Sequence, residues 1–184
     1  MAVTSKRFTS KSKLPAARIE LHVNREDNIL NTQLRETLSE DWSAKLKKAF
    51  EIIKQGADPN ACNVRAGVSI LHVAIEQSEI DEESLNLLKS AGFNINTEDK
   101  NGETALHWAV RFGDLENTKL LLDNGADINI RDKSGRTPLF QALLCRNVNA
   151  VKMLLLKGAD PNVPDIYGET PLHYIMQNIG SGAF

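Results

Sequence analysis

Three histidines are the side chains of this chain best suited to chemistry. His72, His107 and His173 could hold a zinc ion, or could pass protons near neutral pH. Their context argues against both roles. Each ends a four-residue word: Ser69-Ile70-Leu71-His72, Thr104-Ala105-Leu106-His107 and Thr170-Pro171-Leu172-His173. A fourth copy, Thr137-Pro138-Leu139-Phe140, carries phenylalanine in the same slot. Residues in equivalent slots do equivalent structural jobs, whereas an active site needs one unique constellation. His22 has no evident partner.

The other reactive residues follow the same logic. Cys62 and Cys145 stand at non-equivalent positions and suggest neither a disulfide framework nor a zinc site. No His or Asp at motif spacing marks Cys145 as a nucleophile. Asp58, Asp127 and Asp160 recur in phase, with Asn94 in the same slot, and read as turn formers. Neither a phosphate-binding loop nor a dinucleotide glycine fingerprint is present. The expectation is a non-enzymatic chain with no metal and no cofactor.

The elements that carry these residues repeat. Gly-Ala-Asp-Pro-Asn spans Gly56 to Asn60, Gly-Phe-Asn-Ile-Asn spans Gly92 to Asn96, Gly-Ala-Asp-Ile-Asn spans Gly125 to Asn129, and Gly-Ala-Asp-Pro-Asn returns from Gly158 to Asn162. The last three copies are 33 residues apart, as are Thr104, Thr137 and Thr170. A fixed period of this size predicts a solenoid whose units stack on their neighbours. Within one unit Thr104 is an expected N-cap, and Leu106, Ala109 and Val110 recur at helical spacing. Gly113-Asp114 breaks that helix, and Leu115, Leu121 and Leu122 give a second one its apolar face. Asp132-Lys133-Ser134-Gly135 reads as the tip of a β-hairpin finger. Pro138 and Pro171 fit a first helical turn, where a missing N–H costs nothing.

These two phased motifs resemble the ankyrin repeat, with its Thr-Pro-Leu-His helix start and Gly-Ala-Asp-x-Asn ending, over residues 28–184. The expected fold is an all-α repeat solenoid with short β-hairpin fingers, an array of about four to five units. Residues 28–60 form an N-terminal capping unit with stripes Leu30, Leu34, Leu38 and Leu46, Ala49, Phe50, Ile53. Units at 61–96, 97–129 and 130–162 follow, and 163–184 is incomplete. The unit at 61–96 is three residues longer, with one extra residue before Gly67 and two around Gln77 to Asp81, a connection rich in acids. That loop is a solvated helix start, a binding insertion or a dock for the leader. In the unit at 130–162, Phe140 replaces a histidine that in the family ties neighbouring units together, and Arg146 stands where Gly113 does.

Residues 1–27 form a basic leader, with Lys6, Arg7, Lys11, Lys13 and Arg18 ahead of the first acid. It reads as a disordered arm, an interaction arm or a targeting peptide. The incomplete last repeat is a fragment boundary, a compact cap or a self-association surface. The net charge of −2 gives no global bias toward nucleic acid, no apolar run is long enough for a membrane span, and the cysteine usage suits a reducing, cytoplasmic compartment.

The resemblance implies a protein-binding module: an adaptor, an inhibitor, a scaffold or a host-interaction effector. It places the partner, of unknown identity, on the concave face and finger tips. Slots that vary between units are free for contact. Aromatic and arginine residues dominate binding hot spots, which selects Trp108, Arg111, Phe112, Arg131, Lys133, Arg136, Gln141, Ile166, Tyr167 and Tyr174. Glu103 and Val73 also fall in variable slots. A regulatory or targeting fragment of a larger enzyme or channel is the alternative. Nucleotide or oligonucleotide binding through Arg131, Lys133 and Arg136 is disfavoured by the acids around them.

Overall fold

The computed structural model describes residues 29–37, 46–60 and 67–179. The leader, Leu38, Lys45, Cys62, the extra residue before Gly67 and the tail from Gly180 to Phe184 lie outside them. Residues 29–37 are helical and form α1. Then follow α2 (Leu46–Lys54), α3 (Ile70–Glu76), α4 (Glu82–Ser90), α5 (Ala105–Phe112), α6 (Leu115–Asp123), α7 (Pro138–Leu144), α8 (Val148–Leu156) and α9 (Pro171–Ile179). The helices form a repeat array. α3, α5, α7 and α9 pack in succession, and α6 packs on α8.

Local chemistry explains each helix. Thr104 caps α5, and its side chain and backbone are in reciprocal contact with His107 in a capping box. Asp114 caps α6 by accepting from Asn117 N at 2.9 Å. Pro138 opens α7 behind the cap Thr137. The acidic connection behaves as a helix start: Asp81 accepts from Ser84 N at 2.8 Å, and Glu82 and Glu83 occupy the first turn of α4. The hydrogen bond from Ser84 holds the Asp81 carboxyl below its ordinary range. Two inserted residues precede that cap, and one of them, Ile80, enters the core.

The apolar residues meet in one continuous core. Leu71, Leu85, Leu106, Leu121, Leu139 and Leu154 are all but fully enclosed. Each such side chain contributes about 1.5–3 kcal/mol of burial. The expected stripes of the first helix pair also point inward: Leu34, Leu46, Ala49 and Ile53 are buried, Leu30 and Phe50 are half-buried, and Ile52 joins them. Lys47, Lys48 and Lys54 are exposed.

The fingers differ from the expected β-hairpins. No strand is formed among the described residues. Each finger is a tight turn closed by two backbone bonds, as from Asp99 N to Glu103 O at 2.8 Å and from Gly102 N to Asp99 O at 3.0 Å. The reason is the aspartate. Asp99 Oδ1 accepts from both Asn101 N and Glu103 N, taking donors that a ladder would use. Asp132 treats Ser134 N and Arg136 N in the same way, and Asp165 treats Tyr167 N and Glu169 N likewise. Neighbouring fingers join through single bonds, from Lys133 N to Asn101 O and from Ile166 N to Ser134 O.

The repeated asparagines form a second ladder. Asn60 Oδ1 accepts from Asn94 N, Asn96 Oδ1 from Asp127 N, and Asn129 Oδ1 from Asp160 N, at 2.8–2.9 Å. Asn31 Oδ1 accepts from Asp58 N at 2.7 Å, so α1 supplies this bond at the N-terminal end. The aspartates turn the chain, as expected: Asn60 N, Asn129 N and Asn162 N donate to Asp58, Asp127 and Asp160.

One slot carries backbone strain. Gly113 ends α5 in the left-handed region at φ 75°, which glycine adopts freely. Arg146 holds φ 54° in the same slot after α7. An L side chain there costs roughly 1–2 kcal/mol, partly offset when glycine is introduced by the freer unfolded chain. Arg146→Gly is therefore expected to raise stability by about 0.5–1 kcal/mol, read as an upward shift of the urea midpoint.

Candidate partner-binding surface

Two of the three motif histidines, His72 and His107, are structural ties between units. His72 Nε2 faces the Glu103 carbonyl at 3.0 Å, and His107 Nε2 faces the Arg136 carbonyl at 3.1 Å. A carbonyl can only accept, so each Nε2 carries the proton and donates. Each Nδ1 then accepts, from Ser69 N at 3.2 Å and from Thr104 N at 3.2 Å. Both nitrogens of each ring are committed, which leaves no lone pair for a metal. Burial lowers the pKa of both rings, and the carbonyl bonds oppose this only in part.

Phe140 makes no such tie. It is buried, stands 5.7 Å from the Tyr174 ring, and has the Arg136 guanidinium 5.8 Å above it. Packing replaces the hydrogen bond at this junction. Beyond it, the framework slots of α9 lie open. Leu172 is 57% and Met176 66% exposed, although the matching Leu106 and Val110 are buried. His173 is exposed and bonds only to its own cap, Thr170, through Nδ1. Of the apolar residues expected at this end, Ile175 is half-buried; the side chains of Ile179 and Phe184 lie outside the described residues.

The ten variable-slot residues divide into several groups. Trp108, Arg111 and Phe112 cluster on α5. Arg111 Nη1 reaches both Glu103 oxygens at 2.7 Å, while its guanidinium lies 5.3 Å from Trp108 and 5.7 Å from Phe112. Trp108 is half-buried and meets His72 edge-on at 5.1 Å, so much of it packs between helices. Phe112 is 51% exposed and abuts Trp108 edge-on at 6.0 Å. Arg131, Lys133, Ile166 and Tyr167 belong to the fingers. Arg131 donates to Gly135 O and Pro164 O, and Lys133 to Lys100 O. These cations thus brace neighbouring turns while staying exposed. Arg136 and Tyr174 are half-buried around Phe140, and Gln141 is half-buried beside Cys145.

Two of the variable slots turn out to be structural. Val73 is buried in the core, and Glu103 is buried beneath its Arg111 bridge. Glu103 is paired with Arg111, eight residues further on, a contact that slot variation does not reveal.

A family model described as ankyrin repeats (3 copies) matches residues 42–132, 71–165 and 130–182. The chain belongs to the ankyrin repeat family. No curated protein matches it. Ankyrin repeats generally mediate protein–protein interaction and are typically non-catalytic. No helix among the described residues is long and apolar enough to cross a membrane.

Proposed function

We propose that this ankyrin array is a non-catalytic binding module that holds a protein partner on its finger tips and first-helix surface. One observation carries the reading. Phe112 and Tyr167 are large rings, 51% and 78% exposed, in slots that vary between the units. Leu172 and Met176 are also exposed, but they occupy framework slots and report the open side of α9 instead. Rings held ready at a surface lose little entropy on binding, which suits them as anchors.

Affinity capture from cell extract, read by mass spectrometry, tests this. The intact chain is compared with a Phe112→Ala, Tyr167→Ala variant. Both rings are exposed, so the variant should keep its circular dichroism spectrum and melting temperature. A protein retained by the intact chain and lost by the variant is the expected result. Equal recovery of every bound protein by both would sink the proposal.

A further inference from the structure

The three successive finger tips are built on one repeated turn, and they differ in the side chains that the turn presents to solvent. In each, the aspartate is turned inward: Asp99, Asp132 and Asp165 each give Oδ1 to two backbone N–H groups of their own turn. Their carboxylates are thereby committed within the turn. The residues left pointing to solvent are cationic at the first two tips and apolar at the third. Lys100, Arg131 and Lys133 are exposed, and so are Ile166 at 59% and Tyr167.

Hydrogen bonds show that these tips form one strip. Lys133 N and Nζ donate to Asn101 O and Lys100 O, at 2.9 and 2.7 Å. Arg131 Nη2 donates to Pro164 O at 2.9 Å, and Ile166 N to Ser134 O at 3.0 Å. Arg131 is held on its own turn as well, through Nε to Gly135 O at 3.0 Å. Arg131 and Lys133 are therefore held in place along the strip, and part of their ordering entropy is already spent. Glu98 is an exposed acid on the flank of the first tip, Asp99 and Asp165 are buried, and Asp132 and Glu169 are half-buried.

We infer that this strip, resting on the binding role proposed above, takes an acidic peptide segment with an aromatic or aliphatic residue beside its carboxylates. The apolar residue packs on Ile166 and Tyr167, and the carboxylates face Lys100, Arg131 and Lys133. Charge complementarity of this kind sets specificity and speeds association. A peptide is favoured over a nucleic acid because it can set carboxylates over the cations and an apolar residue over Ile166 and Tyr167, whereas a phosphate backbone carries a charge at every step and would run it across the apolar end of the strip as well.

Selection of a random displayed peptide library on the purified full chain tests the inference. The expected winners carry Asp or Glu within a few residues of Phe, Trp, Tyr or Leu. Synthetic copies should bind Lys100→Glu, Lys133→Glu at least about tenfold more weakly, and should weaken as salt is raised. Lys100→Gln, Lys133→Gln should give an intermediate loss, with the fold checked by circular dichroism. Neutral or basic winners that are lost on Tyr167→Ala would overturn the acidic specificity and leave the binding role standing. Winners indifferent to Phe112→Ala, Tyr167→Ala and both charge variants would overturn specificity and role together. Failure to enrich any peptide, or tighter binding of a fluorescein-labelled oligothymidine than of the winners, would overturn the inference as well.

Discussion

Acidification from about pH 8 to about pH 5 is expected to destabilise this chain steeply, through His72 and His107. Both rings are fully buried, and burial lowers their pKa. Each Nδ1 accepts from a backbone N–H of its own cap. A protonated ring must donate from that nitrogen, so protonation opposes the cap as well as charging a buried group. The unfolded chain protonates its histidines around the ordinary value of about 6.5, above the folded value. Between the two values the unfolded state binds more protons, and stability falls as pH falls. The stabilisation is complete above about pH 6.5 and is lost as pH drops through the lower folded value. Each ring contributes a slope of up to about 1.4 kcal/mol per pH unit in that window. Asp81, whose carboxyl is also held low, acts only in a more acidic range. Urea unfolding at a series of pH values reads the slope. A flat profile between about pH 7 and about pH 5 would contradict the neutral, Nε2-protonated assignment.

Gly135→Ala is the single substitution expected to damage the finger strip most. Gly135 has φ 76°, and a Cβ there would lie 2.6 Å from Arg131 Nη2, 2.8 Å from Ile166 N and 2.9 Å from Asp165 C. The arginine end can swing away, but the neighbouring finger's backbone cannot move without losing the bond from Ile166 N to Ser134 O. Conformational strain of roughly 1–2 kcal/mol adds to that loss, for a total of about 3 kcal/mol. Gly125→Ala is the control. Gly125 has φ 94° but nothing within 4 Å of its Cβ, so it should show the strain alone. Thermal melts of the two variants separate the terms. Equal losses would mean that finger stacking contributes little to stability.

Much of the fold was legible along the chain because its signals are local. Thr104 and His107 are three residues apart and bond to each other; Asp114 caps the helix that begins at the next residue. Asp127 turns the chain onto Asn129, two residues later. Signals of this range survive in sequence whatever the neighbouring units do. How far the fingers pair was not legible, because a glycine-bearing turn between polar residues fits a stranded hairpin or a bare turn. The aspartate side chain, by taking two backbone donors, decides between them.

Which variable slots stay exposed was only partly legible. Slot variation singled out Phe112 and Tyr167, and both are exposed. The same argument singled out Val73, which is buried, and Glu103, which is consumed by Arg111. It also presented Arg131 and Lys133 as free cations, although both brace neighbouring fingers. Ile80, an inserted residue in an acidic loop, gave no sign that it would enter the core.

By itself, then, the sequence determined the period, the helices, their caps and the turn chemistry, since each depends on atoms within about one helical turn. Only the tertiary structure decided which variable side chains remain available. The atoms that brace Arg131 and Lys133 come from other turns of the array: Lys133 Nζ meets Lys100 O and Arg131 Nη2 meets Pro164 O, each 33 residues away. The same distance explains Phe140. Its neighbours in sequence could show that a histidine was missing, but only the packed array shows Tyr174 and Arg136 closing around the ring in its place.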